Sequence, residues 1–363
     1  MLGIDRRAAS YTWTAALILL LLSLLYLVRS TLFIFILALL FAYLLAPLVS
    51  LLDRFLPGNR TRTPALALAY IIFMGIVVLA GIQIGSRVVE EANSLSKRLP
   101  EMSSAWLKPA SQQAPGTTSI QDQVVAWIRQ EIVQSSNNLI SALPGAGLKA
   151  LTVASNLIFV VIIPILGFFF LKDGHVMRQH VLDMVADVQR RAVLDDVLAD
   201  VNLMLASYIR ALTLLALAAF TAYAIFFSIL SVPYGVLLAA LAGMLEVIPM
   251  VGPLVAGAII FMVALLSGSH ALAVLVFLLA YRVFQDYILS PHLMGQGVEL
   301  HPLLVLFGVF AGAEIAGIPG TFLSVPVLAL IRVVYIRIRK TRIGAQFSSG
   351  SEVATKVTPG SAA

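Results

Sequence analysis

The sequence contains no cysteine, and only 12% of its residues are charged. The first absence excludes disulfide bonds, thiolate metal sites and cysteine nucleophiles. The second argues against an ordinary soluble domain, in which about 25% of residues are charged. Apolar residues make up 60% of the chain. This composition is typical of a helical integral membrane protein.

Conventional catalytic and nucleotide-binding motifs are also missing. The chain has neither a glycine-rich phosphate loop ending in Lys-Ser or Lys-Thr nor a His-Glu-x-x-His metal motif. Its five histidines lack the spacing of zinc ligands. We therefore expect no enzyme activity, no cofactor and no metal site. The net charge of +6 is assigned to cytoplasmic loops of a membrane protein, and no nucleic-acid partner is expected.

Eight apolar segments are candidates for membrane-spanning helices, which need about 20 mostly apolar residues. They are residues 12–28, 31–52, 65–85, 150–171, 211–231, 233–267, 270–289 and 303–331. Segments 233–267 and 303–331 contain Gly/Pro breaks, so each is either a broken span or a re-entrant hairpin, and hydropathy does not separate the two. The fold class expected is all-α, a polytopic helical membrane protein with about eight transmembrane segments, two of them broken or re-entrant.

The chain divides into six predicted regions. These are an N-terminal three-helix membrane part (1–85), an extracytoplasmic insertion (86–149), the fourth transmembrane helix (150–171), a cytoplasmic amphipathic helical segment (172–210), a C-terminal membrane part with the broken segments (211–340) and a disordered cytoplasmic tail (341–363). Apolar residues at helical spacing predict two amphipathic helices in the insertion, over 86–99 and 120–133. A stripe from Val181 to Leu205 predicts a packed helix whose charges lie on a solvated face.

Basic residues set the expected orientation, because short cytoplasmic loops are enriched in lysine and arginine. Arg6 and Arg7 precede the first apolar segment, and Arg337, Arg339 and Lys340 follow the last. Both termini are therefore expected on the cytoplasmic side.

Glu246 is the only charged residue between Arg210 and Arg282, within the stretch "MLEVIPMVGPLV". A charge at the centre of a membrane helix costs about 2.5–3.5 kcal/mol, so such a residue normally faces a partner or a cavity. A structural alternative stays open. Glu246 would then pair with Arg210 or Arg282, or accept amide hydrogens at the end of a half-helix.

Two prolines and a glycine follow Glu246 and disfavour a continuous helix. Unwound backbone at membrane depth is tolerated only where protein or a water-filled cavity covers it. The carboxylate and the break therefore predict one buried, hydrated site in the middle of the membrane. Its predicted residues are Glu246, Pro249, Gly252 and Pro253.

A second break, "GAEIAGIPG", covers residues 312–320 and contains the only charge between Glu299 and Arg332. Paired Gly/Pro-interrupted segments are the best sequence indication of a transporter binding site. We therefore add four residues of this break to the predicted solute or ion pathway. They are Glu314, Gly317, Pro319 and Gly320.

The stretch between the two breaks contains a candidate gate. Arg282 and Asp286 are four residues apart and share a helix face, so they form either a structural ion pair or part of the gate. The chain after Pro291 is predicted to be a loop, because prolines and glycines are frequent there. The candidate gate residues are Arg282, Gln285, Asp286, Pro291 and His301.

Five segments, in order, resemble the autoinducer-2 exporter-like (AI-2E) family of bacterial membrane proteins. They are "YLLAPLVSLLDRF…RTRTPA", "FFFLKDG" at 168–174, "SYIRALTLLAL", "VPYGVLLAALAGMLEVIPMVGP" and "ILSPHLMGQGVELHPLLVLFGVFAG…GIPGTFLSVPVLALI". The resemblance covers about residues 12–340. It implies a homo-oligomeric secondary transporter of the bacterial inner membrane that exports autoinducer-2, a small polar signal, in some members, whereas other members are associated with sodium/proton antiport.

The leading hypothesis is a transporter that exports a small hydrophilic solute, coupled to a proton or sodium gradient. Glu246 would bind ion or solute, and motion of the broken segments would give alternating access. The alternative is a Na⁺(Li⁺)/H⁺ antiporter in which Glu246 and Glu314 exchange proton and cation. A third reading is a scaffold whose insertion binds partners. The expected partners are membrane lipid, a small polar solute or cations, and further copies of the chain.

Overall fold

The fold is an assembly of helices, described by a computed structural model for residues 6–55, 63–107, 134, 161–268, 270–294 and 300–355. The helices are α1 (Arg6–Leu27), α2 (Arg29–Phe55), α3 (Thr63–Ala80), α4 (Ser86–Leu107), α5 (Ile163–Asp183), α6 (Val188–Ile229), α7 (Gly235–Leu245), α8 (Val251–Leu266), α9 (Ala271–Phe284), α10 (Ser290–Met294) and α11 (Pro302–Thr355). Single π-helical turns, Gly81–Gly85 and Gln285–Leu289, join α3 to α4 and α9 to α10. These ranges contain no strand, and the predicted all-α class is confirmed.

Within the described ranges, six helical segments are long and apolar enough to cross a membrane. They are Ser10–Leu27, Arg29–Phe55, Thr63–Met102, Val188–Ile229, Ala271–Leu293 and Pro302–Arg337. The apolar helices α7 and α8 have only 11 and 16 residues. At 1.5 Å per residue they measure about 16 and 24 Å, less than the roughly 30 Å of a bilayer core. The first part of the predicted span 150–171 and the predicted helix 120–133 lie outside the described residues.

Helices α2, α3 and α5 pack together as a scaffold in which small residues permit close approach. Gly167 of α5 lies against α2, where an added Cβ would be 2.8 Å from Phe41 Cδ1 and 3.3 Å from the carbonyl oxygen of Ala38. The Tyr70 hydroxyl of α3 donates a hydrogen bond to the carbonyl oxygen of Pro164, at 2.9 Å. Aromatic rings from all three helices contact each other edge to face.

Residues 235–266, named hairpin 1, enter and leave the bundle at the same end of α6. Helix α7 runs antiparallel to α6, because Gly235 lies against Phe227 and Gly243 lies against Phe220. Helix α8 leads back to α9, where Phe277 stacks on Phe226 next to the start of α7. The segment predicted at 233–267 as a broken span or a re-entrant hairpin is therefore a re-entrant hairpin.

Residues 302–331, named hairpin 2, also fold back, at a bend within α11. Ala316 and Gly317 have non-helical backbone angles, and Gly317 has φ +64°. Gly308 faces Ser324 and Leu328, and Gly312 faces Gly320. These pairings require two antiparallel arms, so the segment predicted at 303–331 is a second hairpin.

The two hairpins point in opposite directions along α6. The turn of hairpin 1 lies near Tyr208, whereas its open end lies near Phe227. Hairpin 2 packs its open end near Tyr208, through Val305 and Val325. Beyond that end, Arg337 donates hydrogen bonds to Asp196 and Asp200 of α6, which fixes the direction of the second arm.

Two predictions for the non-membrane parts require correction. The helix predicted over 172–210 is interrupted at residues 184–187, because the Asp187 carboxylate accepts a hydrogen bond from the backbone amide of Arg190 and caps α6 at 2.9 Å. Val181 and Val188 of the predicted packed stripe are exposed. The tail predicted to be disordered over 341–363 is helical as far as Thr355, as a continuation of α11.

Candidate functional site

Glu246 lies where α7 ends, and it is buried with only 8% of its surface exposed. Its carboxylate accepts a hydrogen bond from the side-chain amide of Gln285. Gln285 is 3% exposed and begins the π-helical turn that follows α9. Turns of this kind occur often at functional sites. The site therefore joins residues 39 positions apart on two different elements.

The turn of hairpin 1 follows directly from the glycine and prolines near Glu246. Met250 has φ +65° and precedes the first residue of α8. Pro253 lies in the first turn of α8, where a missing amide hydrogen is tolerated. Gly252 passes so close to α7 that an added Cβ would lie 1.7 Å from the carbonyl oxygen of Leu245. Only glycine fits there, which locks the two arms together beside Glu246.

A cavity of about 220 Å³ opens beside this turn, between the two hairpins and α6. Hairpin 1 contributes Glu246, Pro249, Met250 and Pro253, and the α9–α10 region contributes Arg282, Gln285, Asp286 and Ser290. Its other lining residues come from α6 and from the open end of hairpin 2, namely Ser207, Tyr208, Leu212, Leu215, Leu300, Val305 and Val325. The cavity thus combines an apolar wall with one polar face, as small-ligand sites do.

A second cavity of about 280 Å³ lies between α6, hairpin 1 and α9, with mostly apolar walls. Four residues line both cavities: Glu246, Pro253, Arg282 and Gln285. The Glu246–Gln285 pair therefore stands at the junction between the two spaces.

The charges of the site do not cancel when Glu246 is ionised. The guanidinium of Arg282 binds Asp286 through Nε and Oδ2 at 2.8 Å, as the spacing of four residues predicts. Gln285 is neutral, so its amide provides a hydrogen bond to Glu246 without positive charge. The group of Glu246, Arg282 and Asp286 then carries a net charge of −1.

The two arginine pairings considered for Glu246 are not formed. Arg282 pairs with Asp286, and Arg210 is exposed on α6. The sequence indicated arginine as a partner for Glu246, because charged residues are easily recognised in an apolar sequence. A neutral amide partner carries no comparable signal, and the pairing depends on how α9 packs beside hairpin 1.

The second break does not join the site around Glu246. Its residues Glu314, Gly317, Pro319 and Gly320 lie at or near the bend of hairpin 2 and line neither cavity in the described part of the chain. Glu314 is exposed, and the neighbouring Ile315 is 83% exposed. The opposite directions of the hairpins explain the separation. It is the open end of hairpin 2 that meets the turn of hairpin 1.

Two candidate gate residues line neither cavity, and one of them differs from the predicted loop. Pro291 lies in α10 and not in a loop, because it occupies the first turn of that helix, where its missing amide costs little. His301 precedes α11, and its Nδ1 accepts a hydrogen bond from the backbone amide of Leu303 at 3.3 Å. Neither lines the two cavities, whereas Arg282, Gln285 and Asp286 line the first.

The sequence argument missed two tyrosines near the site. Tyr208 of α6 lines the first cavity and Tyr281 of α9 lines the second. Both are buried, and neither hydroxyl has a hydrogen-bond partner within the described residues. Tyr208 could have been identified from the sequence as a candidate site residue, because it places a polar hydroxyl at the start of the apolar stretch "SYIRALTLLAL".

Comparison with known proteins assigns the chain to a family. The family model described as "AI-2E family transporter" matches residues 15–340. Among relatives, "Putative transport protein YueF" of Bacillus subtilis is 26% identical over 303 residues, covering 82% of this chain and 81% of that protein. "Putative permease PerM" of Escherichia coli K12 is 24% identical over 284 residues, covering 76% and 78%. The chain belongs to the AI-2E family of transporters.

Proposed function

We propose that the protein is a secondary transporter that exports a small hydrophilic solute, such as an autoinducer-2-like signal, across the bacterial inner membrane. The solute occupies the first cavity, and a proton or sodium gradient drives its movement through Glu246. The observation that carries this proposal is a buried acid at a cavity whose charges sum to −1. A buried carboxylate hydrogen-bonded to a neutral amide is costly as an anion, which favours the binding of a proton or another cation.

The size of the first cavity supports a small solute. Its volume of about 220 Å³ is below the roughly 300–1,000 Å³ of sites for drug-sized ligands. The lining offers Ser207, Gln285 and Ser290 as hydrogen-bonding groups and an ion pair between Arg282 and Asp286. This chemistry suits a polar molecule with several hydroxyl or carbonyl groups.

The opposed hairpins supply a route to alternating access. In this proposal hairpin 1 enters from the extracytoplasmic side and hairpin 2 from the cytoplasmic side, with both termini in the cytoplasm. The turn of hairpin 1 closes the cavity on one side and the open end of hairpin 2 closes it on the other. Rigid-body motion of either hairpin would open the cavity to one side at a time.

A Glu246→Gln variant in proteoliposomes tests the proposal. Glutamine keeps the size and hydrogen bonding of the side chain but has no ionisable group. We expect gradient-driven export of autoinducer-2 to fall at least tenfold, while Glu90→Gln, an exposed acid on α4, leaves it unchanged. Unaltered gradient-driven export by the Glu246→Gln protein would rule out this coupling role.

The neutral partner of Glu246 also favours a second candidate, a Na⁺(Li⁺)/H⁺ antiporter. A carboxylate bound to an amide, and not to arginine, is free to exchange a proton for a metal cation. Here Glu246 alone would complete the exchange and no organic solute is needed. Sodium-dependent proton release from liposomes, recorded with a pH-sensitive dye in the absence of any solute, distinguishes this activity from solute export.

A further inference from the structure

Glu91 of α4 makes a long-range contact with the base of hairpin 1. Its Oε2 accepts a hydrogen bond from the backbone amide of Leu237 at 2.8 Å, across 146 positions in the sequence. Leu237 lies in the first turn of α7. Amides in the first turn of a helix have no partner inside that helix.

The base of hairpin 1 lacks a cap of its own. Tyr234 precedes α7 with φ +61° and provides no side-chain hydrogen bond to the helix. Glu91 therefore caps α7 from another helix. Its carboxylate also meets the positive end of the α7 dipole, which favours an anion at this position.

The same face of α4 is buried against hairpin 1. Leu95 and Leu99, four and eight residues after Glu91, are 2% and 0% exposed. They belong to one apolar cluster with Leu238 of α7 and Ile260 of α8. Positions four residues apart share a face of a helix, so one side of α4 holds both arms of the hairpin.

The connection of α4 to the scaffold has a glycine at each end. The π-helical turn Gly81–Gly85 joins α4 to α3. An added Cβ on Gly81 or Gly85 would meet no other atom within 4 Å. This glycine-bounded turn is suited to absorb a change of angle between α3 and α4.

The two arms of hairpin 1 pack against each other, since Leu238 and Ala242 of α7 and Ala256 and Ile260 of α8 belong to one apolar cluster. At the turn, the absence of a side chain on Gly252 lets α8 approach the carbonyl oxygen of Leu245 closely. The hairpin therefore moves as one body, with Met250 and Glu246 at the far end from Glu91. A change in the Glu91 contact alters how the turn is held beside the cavity.

We propose that Glu91 is a positioning residue for the Glu246 hairpin, and that α4 braces hairpin 1 and moves with it about the Gly81–Gly85 turn. The importance of that position rests on the proposed function. The contact between Glu91 and Leu237 is independent of that function, so the experiment that tests it measures labelling and not transport.

The test uses a Met250→Cys reporter in this cysteine-free chain, labelled with a membrane-impermeant maleimide in nanodiscs. Loss of a helix cap changes a local equilibrium by roughly 2- to 30-fold. We expect Glu91→Ala to raise the labelling rate at position 250 about 5- to 30-fold. Glu91→Gln keeps an acceptor oxygen and gives a smaller increase, whereas Glu90→Ala, on an exposed neighbour, gives none.

A second reporter, Ala69→Cys in the buried scaffold, separates local positioning from general loosening. The proposal is overturned if labelling at position 250 is unchanged or lower, if Glu90→Ala has the same effect, or if position 69 becomes equally reactive. Should the alanine variant fail to fold, Glu91→Gln decides the question by the same criteria. Failure of the Glu246 transport test would leave this outcome unaffected.

Discussion

At the scale of single residues, the pair of Glu246 and Gln285 distinguishes this site from an ordinary buried ion pair. The nearby guanidinium of Arg282 is occupied by Asp286, which leaves the acid with a neutral partner. A buried hydrogen bond to a charged group contributes about 1.5–3 kcal/mol, and breaking one partner costs at least as much. The arrangement therefore holds Glu246 in place and leaves its charge available for exchange.

An exchange of the two side chains tests this pairing. Gln285→Glu alone brings two acids together, and we expect a fall in unfolding free energy of about 1–3 kcal/mol. The double variant Glu246→Gln/Gln285→Glu restores one acid and one amide, so most of that loss should be recovered. Thermal unfolding in detergent measures both. Equal stability of the single and double variants would contradict the pairing.

Gly252 is the residue on which the hairpin 1 turn depends. Gly252→Ala places a methyl group against the carbonyl oxygen of Leu245, and we expect a loss of about 1–3 kcal/mol from overpacking. Gly257→Ala is the matched control in the same helix, because a Cβ there meets no atom within 4 Å. The midpoint of thermal unfolding should fall for the first variant only.

At the scale of elements, two segments that appear in the sequence as single apolar stretches each form a helical hairpin. Hairpin 1 does so through a visible turn between two short helices. Hairpin 2 folds back within α11, at Ala316 and Gly317. Close glycine contacts hold each hairpin together, since a carbonyl oxygen occupies the space of a missing Cβ.

A disulfide tests the fold of hairpin 2. A Cβ on Gly308 would lie 3.5 Å from the Cβ of Ser324, within the range that a disulfide requires. Gly308→Cys/Ser324→Cys should therefore cross-link on mild oxidation. In a straight helix, 16 residues would separate these positions by about 24 Å, and no bond would form. Gly308→Cys/Val327→Cys, with an exposed second position, is the control pair, and a mobility shift on non-reducing gels reports the bond.

At the scale of the whole molecule, the two hairpins approach each other from opposite ends of α6. Their bases lie at different ends of the bundle, and the Glu246 cavity lies where the turn of one meets the open end of the other. The scaffold formed by α2, α3 and α5 lies beside the two hairpins. By contrast, the apolar part of α1, Ser10–Leu27, has none of its residues buried, which leaves its surface for lipid or for a further copy of the chain.

Sidedness tests the opposed arrangement. His270 lies at the open end of hairpin 1 and His301 at the open end of hairpin 2, and both are exposed. We expect His270→Cys to react with an impermeant maleimide from outside intact cells, and His301→Cys to react only in inverted vesicles. Reaction of both positions from the same side would contradict the arrangement.

The amino-acid sequence by itself determined the membrane class, the helical fold and the positions of both breaks. These follow from local composition: the apolar length of segments, the single acid Glu246, and prolines that cannot continue a helix. The tertiary structure alone decided that both breaks are hairpins, that they are opposed, that Gln285 holds Glu246 and that Glu314 lies elsewhere. Hydropathy reports how long and apolar a segment is, but not the direction in which it leaves a turn. That direction depends on contacts between remote residues, such as Gly312 with Gly320.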